Sequence, residues 1–423
     1  MSQFREITAD QHGIAVKQLC PNATDVVRRL QEAGYEAYIV GGSVRDLLLG
    51  KVPKDFDVAT DATPEEVKVV FPRCHLIGRR FRLAHVRQGG VLVEVATFRG
   101  EQNRDHHVHA DGRILRDNVW GSLEEDALRR DFTINALFLD PVSGVIKDFT
   151  GGYEDLANRT LRLIGDPDTR YREDPVRLLR AARFVAKLGV EPHPDTDAPI
   201  RELAPLLEGI PPARLFEEVC KLFLTGHASR TLEALQRFHL SLPLFPVLNG
   251  SGDGGKAETG PVLWKAMTNT DERVAREMPV TPAFMFAVLL WQPVRDRAAK
   301  LVAQGRTGLQ AMEIAGEAVI GAQVSRTAIP RRFSAVTRQI WEMQPRFHKT
   351  RGRSVPRIIN HPRFRAAYDF LLLRVEEDAE LAELAAFWTQ AQKDTPPQPR
   401  AEQPVRRRRP RRRGRRKGAA PKG

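Results

Sequence analysis

The stretch Tyr38–Thr60, YIVGGSVRDLLLGKVPKDFDVAT, governs how the rest of the chain is read. Tyr38, Ile39 and Val40 form an apolar run ending at Gly41 and Gly42, the pattern of a buried strand. Ser43 then suits the N-cap of a short helix carrying Leu47, Leu48 and Leu49. Glycine lets backbone approach a ligand closely, and free amides at a helix start favour phosphate, so a triphosphate can rest at this turn. The helix should stop near Gly50, and Pro53 leads into a second strand, Lys54–Thr60. Alternation there puts Asp55 and Asp57 on one face and Phe56 on the other. Neither carboxylate has a cation at a spacing that would pair it, and like charges so close repel unless something neutralises them. A divalent ion would do so, and oxygen ligands beside a phosphate cradle suit magnesium better than zinc.

A bare Gly-Gly is mostly a turn and a bare Asp-x-Asp mostly a solvated edge, so the order of the neighbouring motifs matters. Upstream, Ala23–Ala33 reads as a helix ending at Gly34. Downstream, Thr63-Pro64-Glu65-Glu66 starts a helix whose buried side is Val67, Val69, Val70 and Phe71. Ala84–Arg87 and Val91–Phe98 read as strands joined by Gln88-Gly89-Gly90. Leu92, Glu94 and Ala96 share a face of the second strand, and Glu94 is either a carboxylate facing water or a third oxygen ligand. Glu101–Asp117, with His106, His107 and His109, reads as a polar loop, because no cysteine or paired acid accompanies the histidines. In EEDALRRDFTINALFLD, Asp131 and Asn135 are spaced to share a helical face, next to Arg130.

This series resembles the head of the nucleotidyltransferase superfamily, in the group of bacterial poly(A) polymerases and CCA-adding tRNA nucleotidyltransferases. The series is a strand, Gly41-Gly42-Ser43, a helix with Arg45 and Asp46, Asp-x-Asp on the next strand, then Arg-Arg-Asp with Asn135. The resemblance implies that Asp55, Asp57 and Glu94 hold two metal ions, Mg2+ with Mn2+ an alternative, one activating the attacking hydroxyl and the other steadying pyrophosphate. It implies that Asp55, Asp57 and Asp131 are catalytic. It further implies that Gly41, Gly42, Ser43, Arg45, Asp46, Arg130, Asp131 and Asn135 bind the nucleotide.

YREDPVRLLRAARFVAKLG reads as one helix with Pro175 in its first turn and Gly189 at its end. Its core side is Leu178, Leu179, Ala182 and Val185, and Arg177, Arg180 and Arg183 recur every three residues. Glu173 and Asp174 precede Arg177 by spacings that fit an intrahelical salt bridge. The family places such an EDxxR element in its neck to read the base, which makes Glu173, Asp174 and Arg177 nucleotide-binding. An acid beside an arginine matches the amine and ring nitrogen of adenine, and of cytosine equally, while refusing guanine and uracil.

The chain has 423 residues, 42% of them hydrophobic, enough for two or three domains with real cores. Cys20, Cys74 and Cys220 are isolated, which suits a reducing compartment. The N-terminus lacks a signal-like apolar stretch, and the longest apolar run, Pro282–Trp291, is too short for a bilayer, so a soluble cytoplasmic protein is expected. Of the net charge of +13, residues 1–399 carry +2, because twelve Lys and Arg from Arg400 onward face only Glu402. That proline-rich tail cannot bury a core and reads as disordered. Arg406, Arg407, Arg408, Arg409, Arg411, Arg412 and Arg413 are expected to attract RNA, with an acidic membrane surface or RNA-decay proteins as rival partners.

Beyond Glu191 the pattern is helical, with a Gly-rich break at Asn249–Gly260 and later helices at Pro282–Gln292, Arg297–Ala303, Thr307–Ile320 and Phe364–Leu384. Arg331, Arg332, Arg338, Arg346, Lys349, Arg351, Arg353 and Arg357, interleaved with Phe333, Trp341 and Phe347, either track RNA and stack bases or form a solvated surface. The expected fold is α+β. Residues 1–152 form a catalytic head with a small mixed β-sheet, 153–212 a helical neck that recognises the base, 213–390 a helical RNA-binding body, and 391–423 the basic tail. LIGRRFRLAHV, EVATFRG, HPRFRAAYDFLLLR and the arginine-rich end resemble the poly(A) polymerase branch, and the chain lacks the His-Asp dipeptide of phosphohydrolases appended to many CCA-adding relatives. The resemblance implies template-independent addition of AMP from ATP to RNA 3′ ends, in mRNA polyadenylation and RNA decay. CCA addition to tRNA is the alternative. From another class, a non-catalytic RNA-binding protein is disfavoured by the repelling acid pair. Oligomeric state is not legible.

Overall fold

Short apolar runs in the first third of the chain pair into one sheet. A computed structural model describes residues 4–78, 82–100, 119–249, 260–375 and 378–394. Its strands are β1 (Arg5–Ile7), β2 (Ala37–Val40), β3 (Asp57–Thr60), β4 (Cys74–Ile77), β5 (Leu83–Gln88), β6 (Val91–Thr97), β7 (Leu137–Leu139) and β8 (Ile146–Asp148). They lie in the order β1-β8-β7-β2-β3-β6-β5-β4. β3 and β6 run parallel and every other neighbouring pair is antiparallel. The sheet is mixed, as expected, but larger than expected. β1, β4, β7 and β8 are three or four residues each, too short to show a period, and Leu137–Leu139 lies in a stretch read as helical.

The two faces bury different things. On one, Val26, Val27 and Leu30 of the Pro21–Glu32 helix pack on Ile39, Val58 and Val95. Each such side chain contributes about 1.5–3 kcal/mol by leaving water. On the other, Tyr38, Val40, Ala59 and Phe138 meet Leu123 and Ala127 of the Leu123–Arg129 helix, a smaller core that leaves the end of this face open. The Gly42–Leu48 helix is capped by Gly41, not by Ser43; Ser43 is buried and donates its hydroxyl to Val40 O at 3.2 Å. Strand β3 starts at Asp57, so Asp55 stands on the approach to the strand and not within it.

After β6 the backbone crosses itself. Gly100 N donates to Val119 O (2.9 Å) and Gly121 N to Phe98 O (3.1 Å). A Cβ on Gly121 would lie 2.3 Å from Gly100 Cα, so only glycine fits there. The Glu101–Asp117 histidine loop and the Arg406–Arg413 run fall outside the described residues.

The expected single helix around Arg177 is two. Pro167–Glu173 ends before Asp174-Pro175, Pro175 caps Val176–Leu188, and Gly189 closes it in the left-handed conformation. One core runs from Phe132 and Ile134 through Tyr171, Leu178 and Phe286 to Phe370. A smaller one joins Phe347, Phe364 and Trp388. Trp341 and Phe347 are fully buried, and Trp341 Nε1 donates to Ala287 O (2.9 Å), so these rings fill cores and do not stack bases. Late helix bounds also move, to Pro282–Leu289, Trp291–Ala303, Gly308–Thr327, Phe364–Arg374 and Leu381–Asp394. The three cysteines are free. Among the described residues no helix is long and apolar enough to cross a membrane.

Candidate active site

Parallel pairing of β3 with β6 sets Asp57 directly beside Glu94, and antiparallel pairing of β6 with β5 sets Glu94 beside His85. In-register neighbours lie about 4.8 Å apart on one face. The row continues through Val40 on β2 to Phe138 on β7. His85 Nε2 lies 3.3 Å from Glu94 Oε1. The Asp57 carboxyl is pushed up to about 6, by desolvation first, then by the charges of Glu94 and Asp55, while Arg130 opposes them. Asp57 remains open to the cleft, so the charge repulsion is the component that a bound cation would remove.

The cleft at this open end has a volume of about 340 Å3 and is walled by Asp57, Glu94, Arg99, Asp126, Arg129 and Arg130. Among the described residues no three His, Cys, Asp or Glu side chains are gathered closely enough to hold an ion. Asp55 and Glu94 are both solvent-exposed, so rotation of either side chain can complete a set around Asp57. The donors are all carboxylate oxygens whose mutual repulsion Arg130 offsets only in part, which fits a hard divalent cation.

Beside the acids, Gly41 takes φ 78° and ψ −128°, a conformation that residues with a Cβ avoid. It stands against the cleft-lining Arg130, whose Nη1 would be 3.6 Å from a Cβ at this position. Arg130 pairs with Asp126 (2.8 Å) and lies 4.9 Å from the Phe138 ring centre. Arg45 is almost wholly buried, bonded to Asp46 (2.7 Å) and Asn135 Oδ1 (2.5 Å). It therefore braces the glycine turn from beneath and is not presented to the cleft. Asp46 also faces Lys187 at 3.7 Å.

Asp131 and Asn135 do meet, but not on a helix. The helix stops at Arg129, a 3-10 turn covers Thr133–Asn135, and Asn135 Nδ2 donates to Asp131 Oδ1 (3.2 Å). Asp131 also accepts from Arg180 Nε (2.6 Å) and Phe132 N (2.8 Å). Burial opposes its charged form, yet Arg180 and these hydrogen bonds outweigh burial and hold the carboxyl below its ordinary value.

Glu173, Asp174 and Arg177 do not line the cleft. Arg177 Nη1 donates to Arg170 O (2.5 Å) and pairs with Glu173 (3.3 Å) across the break between helices, while Asp174 pairs with Arg214 (2.8 Å). Arg170 joins this cluster to the site, pairing with Glu173 (3.0 Å) and donating to Arg129 O (2.8 Å) and Arg130 O (2.7 Å). Sequence reasoning missed Arg170, Arg99, Asp126 and the partnership of Arg180 with Asp131. The three-residue recurrence of arginine on Val176–Leu188 was the available signal for Arg180; the others are brought in by tertiary contacts.

Residues 37–162 match the family model described as "Poly A polymerase head domain", 189–250 match "Probable RNA and SrmB- binding site of polymerase A", and 304–419 match "Polymerase A arginine-rich C-terminus". The chain is 47% identical over 405 residues to Poly(A) polymerase I of Escherichia coli O6:H1, covering 93% of this chain and 87% of that protein. It is 46% identical over 399 residues to Poly(A) polymerase I of Haemophilus influenzae, covering 91% and 87%. Against the CCA-adding enzyme of Geobacillus thermodenitrificans identity is 40% over 220 residues, 52% of this chain and 53% of that one. The crystal structure of the Bacillus stearothermophilus CCA-adding enzyme in complex with CTP superposes with TM-score 0.59 at 27% identity, covering 89% of this chain and 83% of that one. Head sheet, in-register acids and glycine turn thus define a nucleotidyltransferase. Within that class, the chain belongs to the bacterial poly(A) polymerase family.

Proposed function

We propose that this chain transfers AMP from ATP to the 3′ hydroxyl of RNA without a template, releasing pyrophosphate. The observation that carries the reading is the Asp57–Glu94 pair, with Asp55 beside it, at a cleft walled by Arg99, Arg129 and Arg130. The likeness to Poly(A) polymerase I, spanning 93% of the chain, favours ATP addition over CCA addition, whose relatives match 52%. Residues 1–152 would then be the catalytic head, 153–212 the base-reading neck, 213–390 the RNA-binding body and 391–423 a basic tail, working in the cytoplasm.

Asp55, Asp57 and Glu94 would hold two divalent ions, Mg2+ by the hardness of the donors. When bound, these ions activate the attacking hydroxyl and balance the charge of departing pyrophosphate. The arginine-walled cleft complements a triphosphate. Arg45, Asn135 and Asp131, backed by Arg180, fix the turn at Gly41 and Gly42 on which the nucleotide would lie, so orientation costs little at the moment of reaction. Ser43 and Asp46 support the same turn from within the helix. Arg177 is fixed through Nη1 to Arg170 O and to the Glu173 carboxylate, and this arginine–acid pair would supply the donor and acceptor for adenine.

The test is incubation of the purified chain with unstructured RNA and each nucleoside triphosphate singly, in magnesium. Long tails with ATP alone are expected. Extension confined to tRNA and requiring CTP would establish CCA addition instead, and RNA binding without transfer would establish a non-catalytic role.

A further inference from the structure

A second cavity, of about 370 Å3, lies in the helical part of the chain between the Arg331–Met343 helix and the short Ser354–Ile359 helix. It is lined by Arg346, Lys349, Arg357 and His361, with Met343 at its floor and Ser354 beside them. Among the described residues no carboxylate lines it. Nearby arginines are partnered: Arg338 with Glu317, Arg363 with Gln339 (3.1 Å) and Arg365 with Asp369 (3.0 Å). Among the described residues Arg346, Lys349 and Arg357 make no ion pair at all, so three like charges face one cavity uncompensated. Lys349 and Arg357 are exposed and Arg346 is half-buried, so the cluster offers an anion a positive and accessible site.

We propose that this cavity is a subsite for internucleotide phosphate, holding single-stranded RNA through its backbone at a place separate from the 189–250 stretch matched to an RNA-binding family model. The volume accommodates a nucleotide unit. Among the described residues no Phe, Tyr or Trp lines the cavity, so it offers no platform for stacking a base and it reads charge and not sequence. His361 supplies an independent reporter. Its Nδ1 accepts from Arg363 N (3.2 Å), and burial, then the charges of Arg346 and Arg363, hold its imidazole below the ordinary value. Lys349 and Arg357 face the same space. A phosphate among these cations would offset them and raise the imidazole value.

The inference rests on RNA being the substrate, and a binding assay without nucleotide separates the two. Fluorescence anisotropy with 5′-labelled oligoadenylate, over a range of salt, compares the full chain with the Arg346→Gln, Arg357→Gln double variant. Loss of two phosphate contacts should weaken binding at least tenfold at low salt and reduce the logarithmic salt slope by about 1.4. The Arg346→Lys, Arg357→Lys variant should keep the slope. NMR titration of His361 should show its apparent pKa rising when oligoadenylate is added. A Gln variant with an unchanged unfolding midpoint, affinity and salt slope overturns the proposal. So does an unmoved His361, or a variant that loses binding only to phosphatidylglycerol vesicles, which would assign the cavity to lipid headgroups. Failure of AMP transfer with intact binding would overturn the catalytic reading alone.

Discussion

Arg180→Ala tests whether the buried charge network, and not a loose surface link, holds the nucleotide turn. In the folded protein Asp131 is 12% exposed and Arg180 31% exposed in their side chains. Removing one partner of a buried pair costs roughly 3–5 kcal/mol, because the other charge stays in place uncompensated. Here Asn135 and the Phe132 amide remain as donors, each contributing about 1 kcal/mol, and Arg180 is partly solvated. The expected loss at pH 7 is therefore about 2–3 kcal/mol. Its pH dependence has a definite sign. Because the Asp131 carboxyl is depressed in the fold, its stabilisation is fully present above the unfolded value of about 3.9 and is lost as pH falls through the folded value. Without Arg180 the burial that opposes ionisation is no longer outweighed, so the carboxyl rises and the variant is relieved by protonation at higher pH. The stability gap between wild type and variant should thus narrow from pH 7 toward pH 4. Urea unfolding at several pH values measures it. A gap under about 0.5 kcal/mol at pH 7, or one that stays constant to pH 4, refutes the reasoning.

Asp57→Asn should lower the rate of AMP transfer by a factor of about 1,000 or more, roughly 4 kcal/mol, while leaving the unfolding midpoint equal or raised because the repulsion with Glu94 and Asp55 is gone. Near-normal turnover of the folded variant in magnesium would rule the acid pair out. Glu94→Gln should slow transfer less, since Asp57 is the acid on which burial and both neighbouring carboxylates press, while Glu94 stands at the side nearer His85; full activity would make it structural. Arg177→Ala should reduce the preference for ATP over GTP in a competition assay more than it slows saturated ATP use, and an unchanged preference would leave Arg177 as a pin between Arg170 and Glu173. Truncation at Arg400, which removes twelve positive charges, should raise KM for RNA at moderate salt, leave KM for ATP alone, and flatten the salt dependence; equal affinity and slope would assign the tail to another partner.

The sequence shows which acids come together beside the glycine turn and little of what supports them. Gly41, Asp57 and Glu94 were legible because Gly41 and Gly42 interrupt an apolar run and alternation along Lys54–Thr60 and Val91–Phe98 predicts which side chains share a face, and the parallel register then sets Asp57 against Glu94. Asp131 and Asn135 were paired for the wrong local reason: the four-residue spacing works through a 3-10 turn because Asn135 reaches back to Asp131, while the helix has already ended. Strands β1, β7 and β8 were invisible, being three residues long and stabilised by pairing with distant neighbours. The resemblance implies a nucleotide-binding role for Arg45, but proximity to the glycines in sequence says nothing about which side of a helix is buried; the contact with Asn135, ninety residues away, decides that. Trp341 and Phe347 misled through composition, since interleaved basic and aromatic residues describe a core-facing amphipathic helix as well as a stacking surface.

The crossing at Gly100 and Gly121 has an engineering consequence. Because Gly100 is tied to Val119 and Gly121 to Phe98, the two backbone segments that flank the interval 101–118 are pinned side by side, and lengthening an interval between two such fixed ends costs little loop-closure entropy. That makes it a natural port for inserting a peptide tag or a dye-bearing cysteine. The port opens next to Arg99, a wall of the cleft, so a probe installed there would be tethered within reach of the reaction while leaving both termini untouched.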